Sequence, residues 1–525
     1  MLKEALYYSR MAWHFGRFLR MPPVRDPQAL LRHHLEHRDE NFLALVHRGV
    51  FENPRSPYHH LMRLAGCTFG DLGESVRRSG LEATLEKLRQ NGVYLTHAEA
   101  KGAPVERHHR VIANDPAATA NPGCSHGIES ISGGSRSVGT ATPTSNTYRH
   151  YRAAYDAVLR EDLGVKGAAF VSLQPILPAP QGLVNSALAS MHGLTVERWF
   201  AAGGAPGEGL PYRVVTHLMV LEARLLGCRL QHPTYLERDD FSPVAQWIAE
   251  TRRQGRCVWV RGNVSSSTRV CAAARDGAYD IAGTIFIASG EGLTEAKRGV
   301  IESAGARACP LYVASEVGTI GMACRHVTGN SVHLFSDSVA VISHRRPAKF
   351  SDVEVDSLLF TSLNPFASRV LINAELDDAG TIEPATCDCA FTRAGYRTVI
   401  RDVHSFGKLT GHGLSLAGTQ LVSLLEDRLP ARFGGVPGDY QLVEIEGADQ
   451  TEVRLCVSPR VGAVDPQSVH AFFMTEIRTV YGGAISRRIW EQTSSLKVEI
   501  VEPYRTRTGK VHPLHLPRFR GRNAH

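Results

Sequence analysis

The chain has 525 residues, of which 43% are apolar, 21% charged and 7% aromatic, a composition that excludes disordered, collagen-like and coiled-coil proteins. A formal charge of +7 is spread along the sequence and does not form the concentrated basic patch of a nucleic-acid protein. No apolar run reaches the roughly 20 residues of a membrane span, and ten cysteines are too sparse for a disulfide scaffold.

The opening, Lys3 and Glu4 without a following apolar segment, does not read as a signal peptide, so a soluble cytoplasmic protein is expected. At about 100–200 residues per domain, the length predicts two to four domains. Residues 2–20 combine Leu2, Leu6, Phe15, Phe18 and Leu19 with Lys3, Arg10, Arg17 and Arg20 in a helical pattern. Such a helix either docks on the body or lies on a membrane surface; docking is the expected role.

The first ~110 residues read as mainly helical. A helix starts at Arg25-Asp-Pro-Gln-Ala-Leu-Leu, and Leu81-Glu-Ala-Thr-Leu-Glu-Lys-Leu repeats apolar residues three and four apart. Residues 115–145 are rich in Pro, Gly, Ser and Thr and too polar for a core. From about 165 to 340, short apolar runs such as Ala168-Ala-Phe-Val-Ser-Leu, Val258-Trp-Val and Thr284-Ile-Phe-Ile-Ala alternate with helical patterns such as Thr294–Ser303, which predicts α/β layers. Beyond about 335, Val339-Ala-Val-Ile-Ser, Ser357-Leu-Leu-Phe-Thr-Ser-Leu and Arg369-Val-Leu-Ile-Asn read as successive strands. A smaller α+β segment begins near Arg401, with helices at Thr419–Arg428 and Ser468–Val480 and strands at Tyr440-Gln-Leu-Val-Glu-Ile, Val453-Arg-Leu-Cys-Val and Leu496–Val501.

Five stretches can carry chemistry. Ser130-Ile-Ser-Gly-Gly-Ser-Arg-Ser-Val-Gly-Thr is either a backbone cradle for phosphate oxygens or a plain surface loop. Ala288-Ser-Gly-Glu-Gly-Leu-Thr-Glu follows an apolar strand, where α/β sheets place ligands, and also fits an ordinary turn. In Tyr312-Val-Ala-Ser-Glu-Val-Gly, the carboxylate suits a magnesium ion or a helix N-terminus. Asn373-Ala-Glu-Leu-Asp-Asp-Ala-Gly ends a strand in adjacent carboxylates, as a turn or as a holder of ribose hydroxyls. Tyr504-Arg-Thr-Arg-Thr-Gly-Lys-Val is by itself a basic tail.

In this order and spacing, the set resembles the adenylate-forming superfamily of acyl-CoA synthetases, peptide-synthetase adenylation domains and luciferases. Within it the chain is most similar to phenylacetate–CoA ligase-like proteins, whose helical Ser-Pro-aromatic opening resembles Ser56-Pro-Tyr-His-His-Leu-Met-Arg-Leu-Ala-Gly. The resemblance runs from about residue 50 to 515. It implies an N-terminal adenylation domain over 1–400, with a helical leader over 1–50 and parallel-rich sheets in several layers. A small, mobile α+β domain over 401–525 would carry the catalytic lysine, with a hinge near Arg401-Asp402. It further implies that Ser132, Gly133, Gly134 and Ser135 contact ATP phosphates and that Gly290, Glu291 and Gly292 border the adenine. Tyr312 would stack near the adenine, Ser315 meet the phosphate, Glu316 bind magnesium, Asp378 hold the ribose and Lys510 act in catalysis. Arg136-Ser137 stands where the family usually has Gly-Lys, and Glu375-Leu-Asp-Asp where it has Arg-Thr-Gly-Asp.

Cys324 and His333, followed by Cys387-Asp-Cys389, offer four zinc ligands in two close pairs, with His326 as a substitute ligand and buried free thiols as the alternative. The phenylacetate–CoA ligase-like group often shows a Cys…His then Cys-Pro-Cys arrangement at this place. The implied function is activation of a carboxylic acid, aromatic or of medium apolar length, to an acyl-adenylate with release of pyrophosphate. CoA or the phosphopantetheine of a carrier protein would accept the acyl group. Residues around Gln174–Gln181 and His192 are candidates for the acid pocket. An acyl-protein synthetase using a protein cysteine, and a non-catalytic adenylation-like nucleotide- or partner-binding protein, are the alternatives. No nucleic-acid or integral-membrane role is expected.

Overall fold

A computed structural model describes residues 2–124, 127–131, 141–165, 167–201, 210–237, 240–347, 354–405, 410–411, 414–415, 418–446, 451–479, 496–506 and 509–515. The N-terminal part is helical, and its boundaries are written locally. Asp26 caps the helix Pro27–Glu36, its Oδ1 accepting the Ala29 N–H at 2.9 Å, with Pro27 in the first turn. Thr68 and Asp71 form a capping box on Phe69–Ser79. In Leu81–Gln90 the buried residues Leu81, Thr84, Leu85 and Leu88 follow the predicted spacing. The helix Leu2–Leu19 docks on the body: Met11, Phe15, Phe18 and Leu19 are buried in a cluster with Leu183, Trp199, Met219 and Val220. No described helix is long and apolar enough to cross a membrane.

The centre is a twelve-stranded sheet. One half is parallel, in the order Arg307–Ala314, Ile285–Ser289, Val258–Asn263, Ala169–Leu173, Val196–Ala201 and Pro233–Tyr235. Its strands are apolar on both sides because helices cover both faces: Trp259 and Phe170 pack with Tyr155 on one, Val258 and Val260 with Ile248 and Val244 on the other. The other half, from Gly318–Met322 to Val339–Pro347, is antiparallel.

Two strand readings shift. Arg369–Asn373 is not a strand: the paired strand is Ala374–Pro384, and the preceding run links the sheet to the helical layer. Val370 donates to Thr119 O at 2.8 Å, and the Asn373 amide donates to Leu85 O at 2.8 Å. Asp377 and Asp378, read as strand-end or turn residues, therefore lie inside a strand, with Asp377 at φ +67° beside register irregularities.

The strand Thr398–Ser405 spans the 400/401 position and pairs Asp378 with Ser405; Asp402 within it has φ +51°. A four-stranded sheet follows, in the order Leu496–Ile500, Thr451–Val457, Tyr440–Glu446 and Leu514–His515. It is packed by Leu421, Leu424, Leu425, Leu429, Phe473 and Ile477. The helix predicted at Thr419–Arg428 is α-helical over Gly418–Ser423 and a π-helical turn over Leu424–Arg428.

Candidate active site and candidate metal centre

The carboxyl ends of the parallel strands gather the first set of predicted residues. Ile285–Ser289 runs into Gly290, whose φ of +85° turns the chain sharply. The Lys510 side chain lies on this glycine: a Cβ there would stand 2.6 Å from Cε and 2.7 Å from Nζ. The lysine loop is closed by Thr506, whose N–H donates to Lys510 O at 2.9 Å and whose Oγ1 accepts the Lys510 N–H at 3.1 Å. Its far side meets the start of the helix Val264–Asp276, with the Val511 N–H directed at Ser265 Oγ at 3.5 Å. Gly290 thus faces the lysine. Glu291 turns the other way: its carboxylate accepts the Ser265 N–H at 2.9 Å and Ser265 Oγ–H at 2.6 Å, anchoring the turn to that helix. Gly292 lies near Asn330.

A second group forms where Arg307–Ala314 ends. Tyr312 donates its hydroxyl to Asp378 Oδ2 at 2.7 Å, bringing together two predicted residues 66 positions apart. Burial, reinforced by the Asp378 carboxylate, pushes the Tyr312 phenol well above its ordinary range, so it stays a donor. Ser315 donates to Glu316 Oε2 at 3.1 Å, and Lys101 forms a short ion pair with Glu316 Oε1. Burial alone would raise the Glu316 pKa, but the Lys101 charge and the hydrogen bonds from Lys101 and Ser315 outweigh it and hold the carboxylate ionised. Lys101, 215 positions away, carries no sequence signal that sets it apart from other surface lysines.

The predicted phosphate loop is spanned by the paired strands Glu129–Ile131 and Ala141–Pro143; Ser132, Gly133, Gly134 and Ser135, with Arg136 and Ser137, lie outside the described residues. Gln174 accepts from the Asn185 amide at 3.0 Å, and its carbonyl accepts the Trp199 indole N–H at 2.9 Å. Both nitrogens of the His192 ring meet backbone: Nδ1 pairs with Leu188 O at 2.9 Å and Nε2 accepts the Val24 N–H at 3.2 Å. With burial lowering its pKa, His192 is a neutral packing residue that ties chain segments together.

The small sheet's helical edge meets the central sheet's helices across a cleft of about 990 Å³, lined by Gly290–Thr294, Asn330, Asp402, His404, Glu426 and His512 among others. Beneath it, Lys297 of the helix Glu295–Ser303 pairs with Glu426 at 2.7 Å and stands 3.6 Å from Glu291, and Thr294 Oγ1 donates to Glu426 Oε2 at 2.6 Å. All three ionic side chains are at most 4% exposed. Sequence reasoning missed this triad, although Lys297 stands between Thr294 and Ile301 on the face that the helical period marks as buried.

The four predicted metal ligands converge. Cys324 Sγ, His333 Nε2, Cys387 Sγ and Cys389 Sγ all lie within 4.8 Å of one another. Cys324 and Cys387 sulfurs are 3.8 Å apart, and each of the Cys387 and Cys389 sulfurs is 3.3 Å from His333 Nε2. Ligands at about 2.3 Å (sulfur) and 2.0 Å (nitrogen) from a tetrahedral centre stand about 3.5–3.8 Å apart, close to these separations. His333 Nδ1 is paired with Tyr396 O at 3.1 Å, which leaves Nε2 free to ligate. The N–H groups of His326 and Val327 point at Cys324 Sγ at 3.3 and 3.2 Å. Hydrogen bonding with Cys324, then with His333 and Thr392, holds the Cys389 thiol far below its ordinary range against the effect of burial. His326 is not a member of the group; its ring accepts from Arg325 instead.

Among solved structures, the chain is similar to a 2-hydroxyisobutyryl-CoA ligase in its postadenylation state. The complex with R3-HIB-AMP superposes with a TM-score of 0.52 at 15% identity, and that with 2-HIB-AMP with 0.53 at 14%; each match covers 92% of this chain and 89% of that one. No protein-family model matches the sequence, and no curated protein matches it.

Proposed function

We propose that this chain, which has the fold of the adenylate-forming ligases, is a cytoplasmic enzyme that uses ATP to convert a carboxylic acid to an acyl-adenylate, releasing pyrophosphate, and passes the acyl group to a thiol. The observation that carries the reading is Lys510: a lysine from the small sheet domain reaches across the domain boundary and lies on Gly290, at the carboxyl ends of the parallel strands. That edge is where open α/β sheets receive ligands. A carboxylate attacking an α-phosphate brings two anions together, and a compact ammonium on a flexible stem offsets their charge as the bond forms.

The other residues fit around this centre. Gly290 and Gly292 border the adenine, Tyr312 packs beside it, and Asp378, fixed by the Tyr312 hydroxyl, accepts from the ribose. Ser315 and the loop Ser132-Gly133-Gly134-Ser135 face the phosphates. Glu316 fits a magnesium ion because it is buried yet held ionised, and Lys101 already marks a cation position beside it. A magnesium ion held there would supply charge neutralisation to the phosphates. The small domain, hinged near Arg401-Asp402, carries Lys510 in and out. The acid is aromatic or of medium apolar length and lies toward Gln174–Gln181. The acceptor is CoA or a carrier-bound phosphopantetheine. Acid-dependent pyrophosphate release from ATP, without a thiol and then with CoA, tests the reading; protein that binds ATP but releases no pyrophosphate with any acid or carrier overturns it.

The three thiols and one imidazole fit a structural zinc ion, in keeping with a phenylacetate–CoA ligase-like member. Purified protein is expected to hold about one zinc equivalent, and Cys387→Ser to lower both the metal content and the thermal midpoint. Folded, stable protein free of zinc rules the ion out.

A further inference from the structure

The helix Leu210–Leu225 turns an apolar stripe outward. Leu210, Val214, Leu218, Leu221 and Leu225 are between 50% and 79% exposed, while Thr216, Met219, Val220 and Ala223 on the opposite side are buried in the body. Their spacing of four, four, three and four residues makes one straight row, where a solvent-facing helix normally carries charge.

The helix Leu2–Leu19 runs alongside in the same direction. Tyr8 meets Tyr212 with ring centres 6.1 Å apart, and Gly16 packs so closely on Glu222 that a Cβ would stand 2.6 Å from its Oε1. The outward side of this second helix holds Arg10, Trp13 and Arg17, continued by Arg20. The Arg17 guanidinium lies over the exposed Trp13 ring at 4.9 Å. A leucine row and a parallel arginine row with one tryptophan therefore form a continuous face. Among its described exposed residues none is acidic; Glu222 lies half-buried in the seam between the helices, near Arg20.

We propose that this two-helix face docks on an anionic lipid bilayer. The leucine row suits the acyl boundary, the arginines suit lipid phosphates, and an exposed amphipathic indole suits the level between them. Charge decides between occupants: a second copy seated on the same face brings two arginine rows together, whereas anionic headgroups neutralise them. The surface is not the one the N-terminal pattern suggests. The apolar side of that helix, with Phe15, Phe18 and Leu19, is consumed by docking on the body, and another helix supplies the exposed leucines.

The full chain is expected to sediment with phosphatidylcholine vesicles containing phosphatidylglycerol and not with phosphatidylcholine alone. Leu218→Glu combined with Leu221→Glu, and separately Arg10→Gln with Arg17→Gln, each lower that binding at least about tenfold with circular dichroism and thermal midpoint unchanged. Tryptophan emission shifts to the blue on binding, and Trp13→Phe lowers the shift, because Trp13 is exposed on this face whereas Trp199 and Trp259 are buried in the body. Absence of binding to the anionic vesicles overturns the proposal. So does a dimer, seen by sedimentation velocity, that Leu218→Glu with Leu221→Glu converts to monomer while vesicle binding is nil.

Discussion

Lys510→Ala is expected to slow acyl-adenylate formation by about two orders of magnitude, with folding intact. The side chain belongs to a short loop closed by Thr506 and lies on Gly290, where it leaves no room for a Cβ. Its truncation opens space at a partly exposed boundary and removes no core packing, so stability is expected to hold. What disappears is the ammonium facing the carboxyl ends of Ile285–Ser289 and Val258–Asn263. ATP binding, for which Tyr312, Asp378 and Glu316 are the proposed contacts, is expected to persist. The measurement is pyrophosphate release in a single turnover beside nucleotide binding to the same variant. Unchanged adenylate formation removes Lys510 from the reaction; joint loss of ATP binding and folding assigns it a structural role.

Lys297→Ala is expected to cost about 3–5 kcal/mol, because it leaves Glu291 and Glu426 buried without their cation. That is a large share of the roughly 5–15 kcal/mol that holds a typical domain folded. Burial alone would lower the Lys297 pKa, but the facing Glu426 and Glu291 carboxylates raise it above the ordinary value. A group raised on folding stabilises fully below its unfolded pKa of about 10.4 and loses that contribution only as pH climbs through the folded value. The stabilisation is therefore expected to be flat across neutral pH and to fade only in strong alkali. Urea unfolding measures the loss. Replacing Lys297 with Met, Glu426 with Leu and Glu291 with Gln together is expected to recover most of it, since no buried charge is then left without a counter-charge. A loss below about 1 kcal/mol, the range of an exposed pair, contradicts the buried geometry. Because Lys297 and Glu426 lie on opposite sides of the cleft, this triad fastens the arrangement in which Lys510 rests on Gly290.

The sequence by itself determined what neighbouring residues decide. The Asp26 cap, the Thr68–Asp71 box and the apolar spacing of Leu81–Gln90 set helix ends and buried faces within a few residues. The apolar run at Thr284–Ala288 with its Gly-rich exit marked a strand and turn for the same reason. The order of the Gly290 turn, Tyr312, Glu316, Asp378 and Lys510 carried the resemblance to the adenylate-forming superfamily, and it is that resemblance, not any local pattern, that implied a shared site. Tertiary structure alone decided which partners met. Lys101 pairs with Glu316 across 215 positions and Tyr312 with Asp378 across 66. Asp377 and Asp378 sit inside a strand because long-range pairing with Thr398–Ser405 overrides their local preference for a turn. His333 joins the cysteine group and His326 does not, since strand pairing between Val332–Leu334 and Thr398–Ser405 brings His333 beside Tyr396 and the two later thiols. Periodicity reports that a helix has an apolar side; it does not report what covers that side. Phe15 and Phe18 are covered by the body and Leu218 and Leu221 are left to solvent, a difference set only by where each helix packs.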